Sequence, residues 1–483
     1  MLLLLSMGLP LLGAVLLALL RPRKRAIIYA ITLLFTTAGS VCALIACWRG
    51  NPDAVKLFSI GKQITLSLRL YGVGRVFGAM AAFLWPLSTL YGIGYMKHEG
   101  GQCSFFLFYQ LSFFATLGIA YAGDLLTMYV FYEMLTLSTM PLIAHGSKPE
   151  RLEAVKKYVV YMLSGASVGF IAMAIVLFTG GSVQFLHGGS FGVDRLSPTV
   201  SRVVFVLALL GFGVKAAIFP LHGWLPAASV APTPVTALLH AVAVVKAGVF
   251  AMMRVSYDLL DASVIRGSWA QYAALAIALF SILFGSAMAV REPHMKRRLA
   301  YSTMSNLSYV LLGVVLLTPQ GFQAGLMHMV FHAMMKISLF CCVGAMMTRA
   351  NVTYVQEMRG LSRRMPIISA VFLFCSVCLC GIPPFVGFQS KWALAQAALA
   401  SGNVIGLICC AVLLISAVFT AIYVLAPAIS AYALPRDDMP KEACKAGGCM
   451  TAPLLVLSAI MLVLAFYAQP LIQVLNRAAN GLL

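Results

Sequence analysis

Apolar residues in this chain run in near-continuous stretches of about 20, parted by short basic, polar or glycine-rich segments. A helix rises about 1.5 Å per residue, so such a run covers the roughly 30 Å hydrocarbon core of a bilayer. The pattern predicts about 14 membrane-spanning helices, centred near Leu12, Leu33, Phe83, Leu111, Leu135, Gly169, Leu209, Val244, Ala276, Val310, Met334, Phe374, Leu414 and Leu457. Positive charge follows the first run, at Arg21, Arg23, Lys24 and Arg25, and no small-residue cleavage site is evident. That run is therefore read as a retained helix and not a signal peptide. No soluble domain is expected between spans, because the longest polar gap extends only from Arg49 to Gly74.

Composition narrows the class. Of 483 residues, 61% are hydrophobic and 10% charged, and the mean hydropathy is +0.94. Soluble domains carry roughly 45–50% apolar and about 25% charged residues, so a water-soluble globular protein is excluded. Disorder and a small disulfide scaffold fail on the same numbers. The net charge of +20 would suggest a nucleic-acid partner in a soluble protein. Here the basic residues sit between apolar runs and record topology instead, with no nucleic acid implied. One set of alternate loops collects Arg21 to Arg25, Lys97, Lys148 to Lys157, Arg291 to Arg298, Arg349 to Arg364 and Arg436 to Lys445. That side holds about 20 positive charges against about ten on the other, and cytoplasmic loops carry the excess. The expected location is the inner (cytoplasmic) membrane, multi-pass, with both termini external.

The 12 cysteines include Cys375, Cys378 and Cys380. They lie inside an apolar span without a nearby His or carboxylate and are read as small hydrophobic filler, with no metal expected. Cys444 and Cys449 fall in a loop assigned to the cytoplasm, where thiols stay reduced. No phosphate-cradling glycine loop, catalytic triad or haem attachment motif is seen. The chain is expected to hold no cofactor and to perform no catalytic chemistry of its own.

The informative residues are ionisable groups inside the spans, each costing several kcal/mol unless paired or hydrated. They are Glu133, Lys215, Lys246, Lys336 and Lys391, with His240, His328 and His332 nearby. Nearly all other acidic residues fall in loops, so Glu133 is the main membrane carboxylate available to balance the lysines; the bland alternative is a static helix-locking ion pair. Around Lys215 the chain reads GFGVKAAIFPLHGWLP. Pro220 lacks a backbone N–H and clashes one turn back, near Gly211 and Gly213, so this helix should break beside its own lysine. The freed backbone groups need water or polar side chains, and Lys215 is expected to face a hydrated cavity. CGIPPFVGFQSKWALAQ repeats the arrangement, with Pro383 and Pro384 just ahead of Lys391. Two interrupted helices about five spans apart predict an inverted repeat, spans four to eight and nine to thirteen. The domain reading is a three-helix region at 1–100, a first repeat at 101–260, a second at 261–434, and a cytoplasmic loop with the last helix at 435–483.

His328, His332 and Lys336 recur at steps of four and so line one helical face, where they could pass protons or merely bond neighbouring helices. His240 and Lys246 are six apart, about 120° around a helix, and need not share a partner.

FYEMLTLS, GFGVKAAIFPLHGWLP, APTPVTALLHAVAVVKAGVF, KRRLAYSTMSNLSY, HMVFHAMMKISLF and GIPPFVGFQSKWAL stand in that order within about residues 80–430. In these motifs the chain resembles the proton-conducting antiporter-like subunits shared by respiratory complex I, Mrp-type multisubunit Na⁺/H⁺ antiporters and membrane-bound energy-converting hydrogenases. The resemblance implies an all-α polytopic fold of about 14 helices with two inverted five-helix repeats, each holding a broken helix, and a central charged axis. It makes Glu133 the fifth-helix carboxylate, Lys215 its broken-helix partner, Lys246 the central connecting lysine, and Lys391 the second broken-helix position. The chain departs from the family at AASVAP after the WLP, where many members carry an acidic residue, and at Tyr71, where many have Asp. The given sequence runs only a short way past the last predicted span, so the long lateral helix of the largest complex I member is not expected.

The implied function is ion translocation, of H⁺ with Na⁺ coupling left open, within a multisubunit membrane complex. The FVGFQSKW context favours an Mrp D-type or hydrogenase-associated subunit. The alternatives are an antiporter-like subunit of NADH-quinone oxidoreductase and, more remotely, an organic-solute permease or a structural subunit. Other membrane subunits, the ions and the bilayer are the expected partners.

Overall fold

The computed structural model describes residues 1–60, 64–97, 99–146, 148–179, 182–186, 196–400, 402–435 and 442–481. The stretch 436–441, which supplied part of the charge count on the basic side, lies outside them. The chain opens with α1 (Leu2–Leu20) and α2 (Arg25–Arg49), packed on each other. A β-hairpin then follows, β1 (Asn51–Ile60) paired antiparallel with β2 (Ile64–Leu70), with Val55 opposite Leu68. The helices α3 (Gly72–Met96), α4 (Gln102–Tyr121), α5 (Leu125–Ile143), α6 (Pro149–Phe178) and α7 (Pro198–Gly213) continue the bundle.

Beyond α7 come α8 (Trp224–Ala227), α9 (Thr233–Ala241), α10 (Val244–Arg254) and α11 (Ala262–Ile265), then α12 (Trp269–Arg291), α13 (Met295–Val315) and α14 (Pro319–Ala350). The remainder is α15 (Pro366–Cys380), α16 (Val386–Leu399), α17 (Val404–Thr420), α18 (Ala426–Ser430), α19 (Gly448–Phe466) and α20 (Gln469–Ala479). All fourteen predicted centres fall inside helices. Among the described residues, eleven helical stretches are long and apolar enough to cross a membrane, with Thr233–Leu259 and Val404–Ser430 each counted as one. The helices α7 and α15 are apolar but shorter, and each stops at a break.

The hairpin lies in what reads as a polar gap. Ile64, Leu66, Leu68 and Leu70 alternate with Thr65, Ser67 and Arg69, a period of two that suits a half-buried strand. Leu68 and Leu70 are fully buried. Asp124 ties this hairpin to the bundle: it caps α5 by accepting from the Thr127 N–H at 2.6 Å, and accepts the Ser67 hydroxyl at 2.6 Å.

Burial sorts the helices into two classes. The stretch Thr233–Leu259 is buried but for Tyr257, and α14 is nearly enclosed, whereas α1, α2, α6, α12, α17 and α19 turn much of their surface outward. Outward residues such as Leu34, Val160, Phe280 and Leu414 are large and apolar, as a lipid-facing surface requires. The enclosed stretches carry Lys246, His328, His332 and Lys336, all fully buried.

Close backbone approach fixes the first break. A Cβ on Gly211 of α7 would stand 2.4 Å from the Gly169 nitrogen of α6, and one on Gly248 of α10 would stand 2.6 Å from the Ala216 nitrogen. Small residues are how membrane helices come together where no hydrophobic force between helices is available. Gly211→Val should therefore separate α6 from α7 and lower the melting temperature of the detergent-extracted protein, at a cost of about 1–3 kcal/mol. Gly8→Ala, which meets nothing within 4 Å, should leave it unchanged. Size-exclusion profiles after heating measure both, and a wild-type profile for Gly211→Val would refute the packing argument.

Candidate functional site

The helix α7 ends at Gly213, and an irregular segment with a cis Phe219–Pro220 bond leads to α8. The break stands beside Lys215, as the prolines and glycines predict. Its freed backbone groups are met by side chains. The Tyr132 hydroxyl donates to the Phe212 carbonyl at 3.1 Å, Trp224 Nε1 donates to the Val214 carbonyl at 2.8 Å, and the Phe219 N–H donates to Ser281 Oγ at 2.9 Å. Lys215 itself is buried. Its ammonium sits 3.2 Å from the centre of the Tyr132 ring and donates to the Tyr132 carbonyl. Glu133 Oε1 lies 4.0 Å from Lys215 Nζ; the lysine side chain is 1% exposed and the glutamate 22%. The carboxylate stands between the core and the outer face marked by Met134 and Leu137.

A second set of groups lies deeper. A further break, which the sequence pattern does not reveal, separates α9 from α10 at Val242 and Ala243, just before Lys246. Lys246 Nζ lies 2.5 Å from His332 Nδ1. In that contact a lysine ammonium donates and an unprotonated ring nitrogen accepts. The His332 and His328 rings stack at 5.8 Å, and His328 Nδ1 lies 2.9 Å from Ser390 Oγ. Ser390 precedes Lys391, which lies in α16 beyond the second break. Lys391 Nζ donates to the carbonyls of Leu379 and Cys380 at 2.7 and 3.1 Å. These carbonyls are left open where α15 ends, and they form the negative end of its dipole. The Tyr309 ring stands between the two residues, 5.4 Å from His328 and 5.6 Å from the Lys391 ammonium.

Not every predicted site residue joins this run. Lys336 turns away from the histidines to α13, donating to Ser302 Oγ at 2.6 Å and the Leu299 carbonyl at 3.1 Å. Ser302 in turn donates to the Tyr423 hydroxyl at 2.8 Å, which also accepts from Thr420 at 3.2 Å. His240 packs its ring on Phe340 at 4.7 Å, and among the described residues neither of its nitrogens has a hydrogen-bond partner. Lys215 and Lys246 share no hydrogen bond; what joins them is the backbone of α10 resting on the break through Gly248. Among the described residues, no carboxylate comes within ion-pair distance of Lys246, Lys336 or Lys391.

Several polar groups escape a search for charged residues in apolar runs. Tyr132, Ser302, Tyr309, Ser390 and Tyr423 are hydroxyl-bearing residues within helices, and composition alone does not set them apart. Asp258 reads as a loop acid yet is buried, 2.8 Å from Arg254. The Arg254 guanidinium sits over Tyr71 at 4.7 Å and Phe185 at 4.3 Å and donates to the Ala122 carbonyl at 3.0 Å. Tyr71, noted above as a departure, thus has a local role: it faces that cation and donates its hydroxyl to the Phe185 carbonyl at 2.8 Å. Lys296 reads as a basic-loop charge but is buried, donating to the Ala231 carbonyl at 2.9 Å.

The chain has relatives among known proteins. The chain is 29% identical to the NADH-quinone oxidoreductase subunit N of Desulforudis audaxviator over 432 residues, 83% of each chain. It is also 29% identical to hydrogenase-4 component B of Escherichia coli over 429 residues, 83% of this chain and 62% of that one. Among solved structures, a chain of the membrane-bound sulfane sulfur reductase, an archaeal respiratory membrane complex, superposes with a TM-score of 0.88 at 25% identity. That match covers 99% of this chain and 97% of the other. Residues 122–420, which contain all eight candidate site residues, match the family described as NADH:quinone oxidoreductase/Mrp antiporter, TM, and with more than half its length accounted for the chain belongs to that family.

Proposed function

We propose that this chain is the ion-translocating subunit of a multisubunit membrane complex and carries protons along a buried axis of Glu133, Lys215, Lys246, His332, His328 and Lys391, with Lys336 as a branch. The observation that carries the proposal is the run Lys246, His332, His328, Ser390, which joins α10 to α16 through protonatable or hydroxyl groups within the enclosed part of the fold. His240, packed on Phe340, sits beside this run. A lysine next to a carboxylate gains proton affinity, and it loses affinity when the carboxylate withdraws or a second cation approaches. Opening the Glu133–Lys215 pair would release a proton from Lys215 toward Lys246. The histidines then pass charge to Lys391, held on the carbonyl end of α15. A partner subunit sets the direction.

Two broken helices, one on each half of the chain, support reading 101–260 and 261–434 as inverted repeats after a three-helix region at 1–100, with 435–483 as a loop and closing helices. The excess of basic loops supports the cytoplasmic membrane with both termini outside. For the physiological setting, the motif context favours an Mrp D-type or hydrogenase-associated subunit. The 29% identity to a subunit N, over a region covering 83% of both chains, favours the complex I reading.

Glu133→Ala and Lys215→Ala, each incorporated into the assembled complex in proteoliposomes, should cut proton flux at least about tenfold, or about 1.4 kcal/mol in the barrier. Normal flux in either variant at normal assembly would sink the proposal. His332→Phe should do the same by cutting Lys246 from His328, whereas His240→Phe should reduce flux less; the reverse order would move the path to His240. Affinity purification from native membranes followed by mass spectrometry separates the settings. Small hydrophobic subunits alone indicate a cation/proton antiporter, and a nickel–iron hydrogenase or quinone-reducing module indicates a redox-driven pump.

A further inference from the structure

A cavity of about 580 Å³ opens on the surface where the turn between α1 and α2 meets the loop before α4. It is remote from the axis, and nothing in the ion pathway uses it. Arg21, Arg23 and Arg25 line one side, and Leu17, Ile28 and Leu107 form an apolar floor. The 19 residues of α1 span about 28 Å at 1.5 Å each. If α1 crosses the bilayer, the arginines that follow it stand at the level of the lipid headgroups. Flanking side chains Leu19, Leu20 and Ile27 are exposed, as acyl chains would require of their neighbours.

The arginines keep donors to spare. Arg21 uses Nε on the Ala18 carbonyl at 3.3 Å, and Arg25 uses Nη1 on the Lys97 carbonyl at 3.0 Å. Each guanidinium has five N–H groups, enough to bind a phosphate as well. Among the described residues one carboxylate lines the rim, Glu99, which lies 3.8 Å from Arg151 and is partly neutralised by it. The opposite wall is fixed before any ligand arrives. Gln102 Nε2 donates to the Met96 carbonyl at 2.6 Å, the Tyr29 hydroxyl donates to Gln102 Oε1 at 3.0 Å, and the His145 ring bonds the Gly100 carbonyl at 2.9 Å. The face also belongs to the basic side assigned to the cytoplasm, where the leaflet is rich in anionic lipid.

We propose that this cavity holds the headgroup of an anionic glycerophospholipid, its phosphate among Arg21, Arg23 and Arg25 and its acyl chains along the outer faces of α1 and α2. Charge complementarity selects an anion, and the apolar floor with its lipid-facing flank selects one that carries hydrocarbon. The test uses the intact complex, stripped of lipid in mild detergent, with phosphatidylglycerol, phosphatidylcholine or inorganic phosphate added back. Phosphatidylglycerol should raise the melting temperature of the wild type, and Arg21→Gln with Arg23→Gln should remove at least half of that gain. Arg25 is left in place because its bond to Lys97 holds the wall. Native mass spectrometry should show fewer retained anionic lipids on the double variant at an unchanged subunit composition. Equal stabilisation by phosphatidylcholine, full rescue by phosphate alone, an undiminished gain in the double variant, or an acidic partner segment cross-linked into the cleft would each overturn the proposal. The readout is lipid retention and melting, so it is independent of whether the chain moves ions.

Discussion

No water stands ready in the hydrocarbon core of a bilayer to satisfy a polar group, and this one constraint orders the rest of the molecule. Every interruption of a helix must find its hydrogen bonds inside the protein, and so must every ammonium. The chain meets both needs at the same places. Where α7 stops, Tyr132, Trp224 and Ser281 take up the stray groups of the backbone, and Tyr132 also cradles Lys215. Where α15 stops, its last carbonyls become the binding site of Lys391. A helix break in this setting is a polar site, completed by side chains at α7 and by the lysine itself at α15.

On the proposed reading the same economy separates two kinds of contact. Glu133 and Lys215 form an ion pair near the outer face, where a neighbouring subunit can reach it. The Lys246, His332 and His328 contacts contain no acid and lie where the surroundings are protein on all sides. Positive charges on adjacent bases repel strongly there, since little solvent screens them. A proton arriving at one end of such a row is felt at the other without any large movement. The first pair therefore suits an input from a partner, and the row suits transmission.

Much of this was legible in the chain itself, and the failures have physical causes. Pro220 and the Pro383–Pro384 pair announce their breaks because a missing N–H and a steric clash act locally. The break between α9 and α10 involves Val242 and Ala243, which have no such signature, and only tertiary packing sets it. Steps of four put His328, His332 and Lys336 on one stripe, but four residues advance a helix by about 400°, so the stripe winds by about 40° each step. Two steps suffice to carry Lys336 off the histidine row and onto Ser302. The hairpin was hidden because a ruler about 20 residues long averages away an alternation of seven. Hydroxyl residues such as Tyr309 and Ser390 gain significance only from the neighbours that folding brings to them.

The contact through Gly248 carries a mechanical consequence. With no side chain between them, α10 rests on the backbone of residues 215 and 216, so the broken segment and Lys246 are joined as parts of one lever. The Lys246 to His332 separation of 2.5 Å sits at the short edge of hydrogen bonding. A slide of about 1 Å along that lever would carry the two nitrogens to the limit of contact. On the proposed reading, a stroke smaller than the width of one atom would connect or disconnect the two halves of the axis.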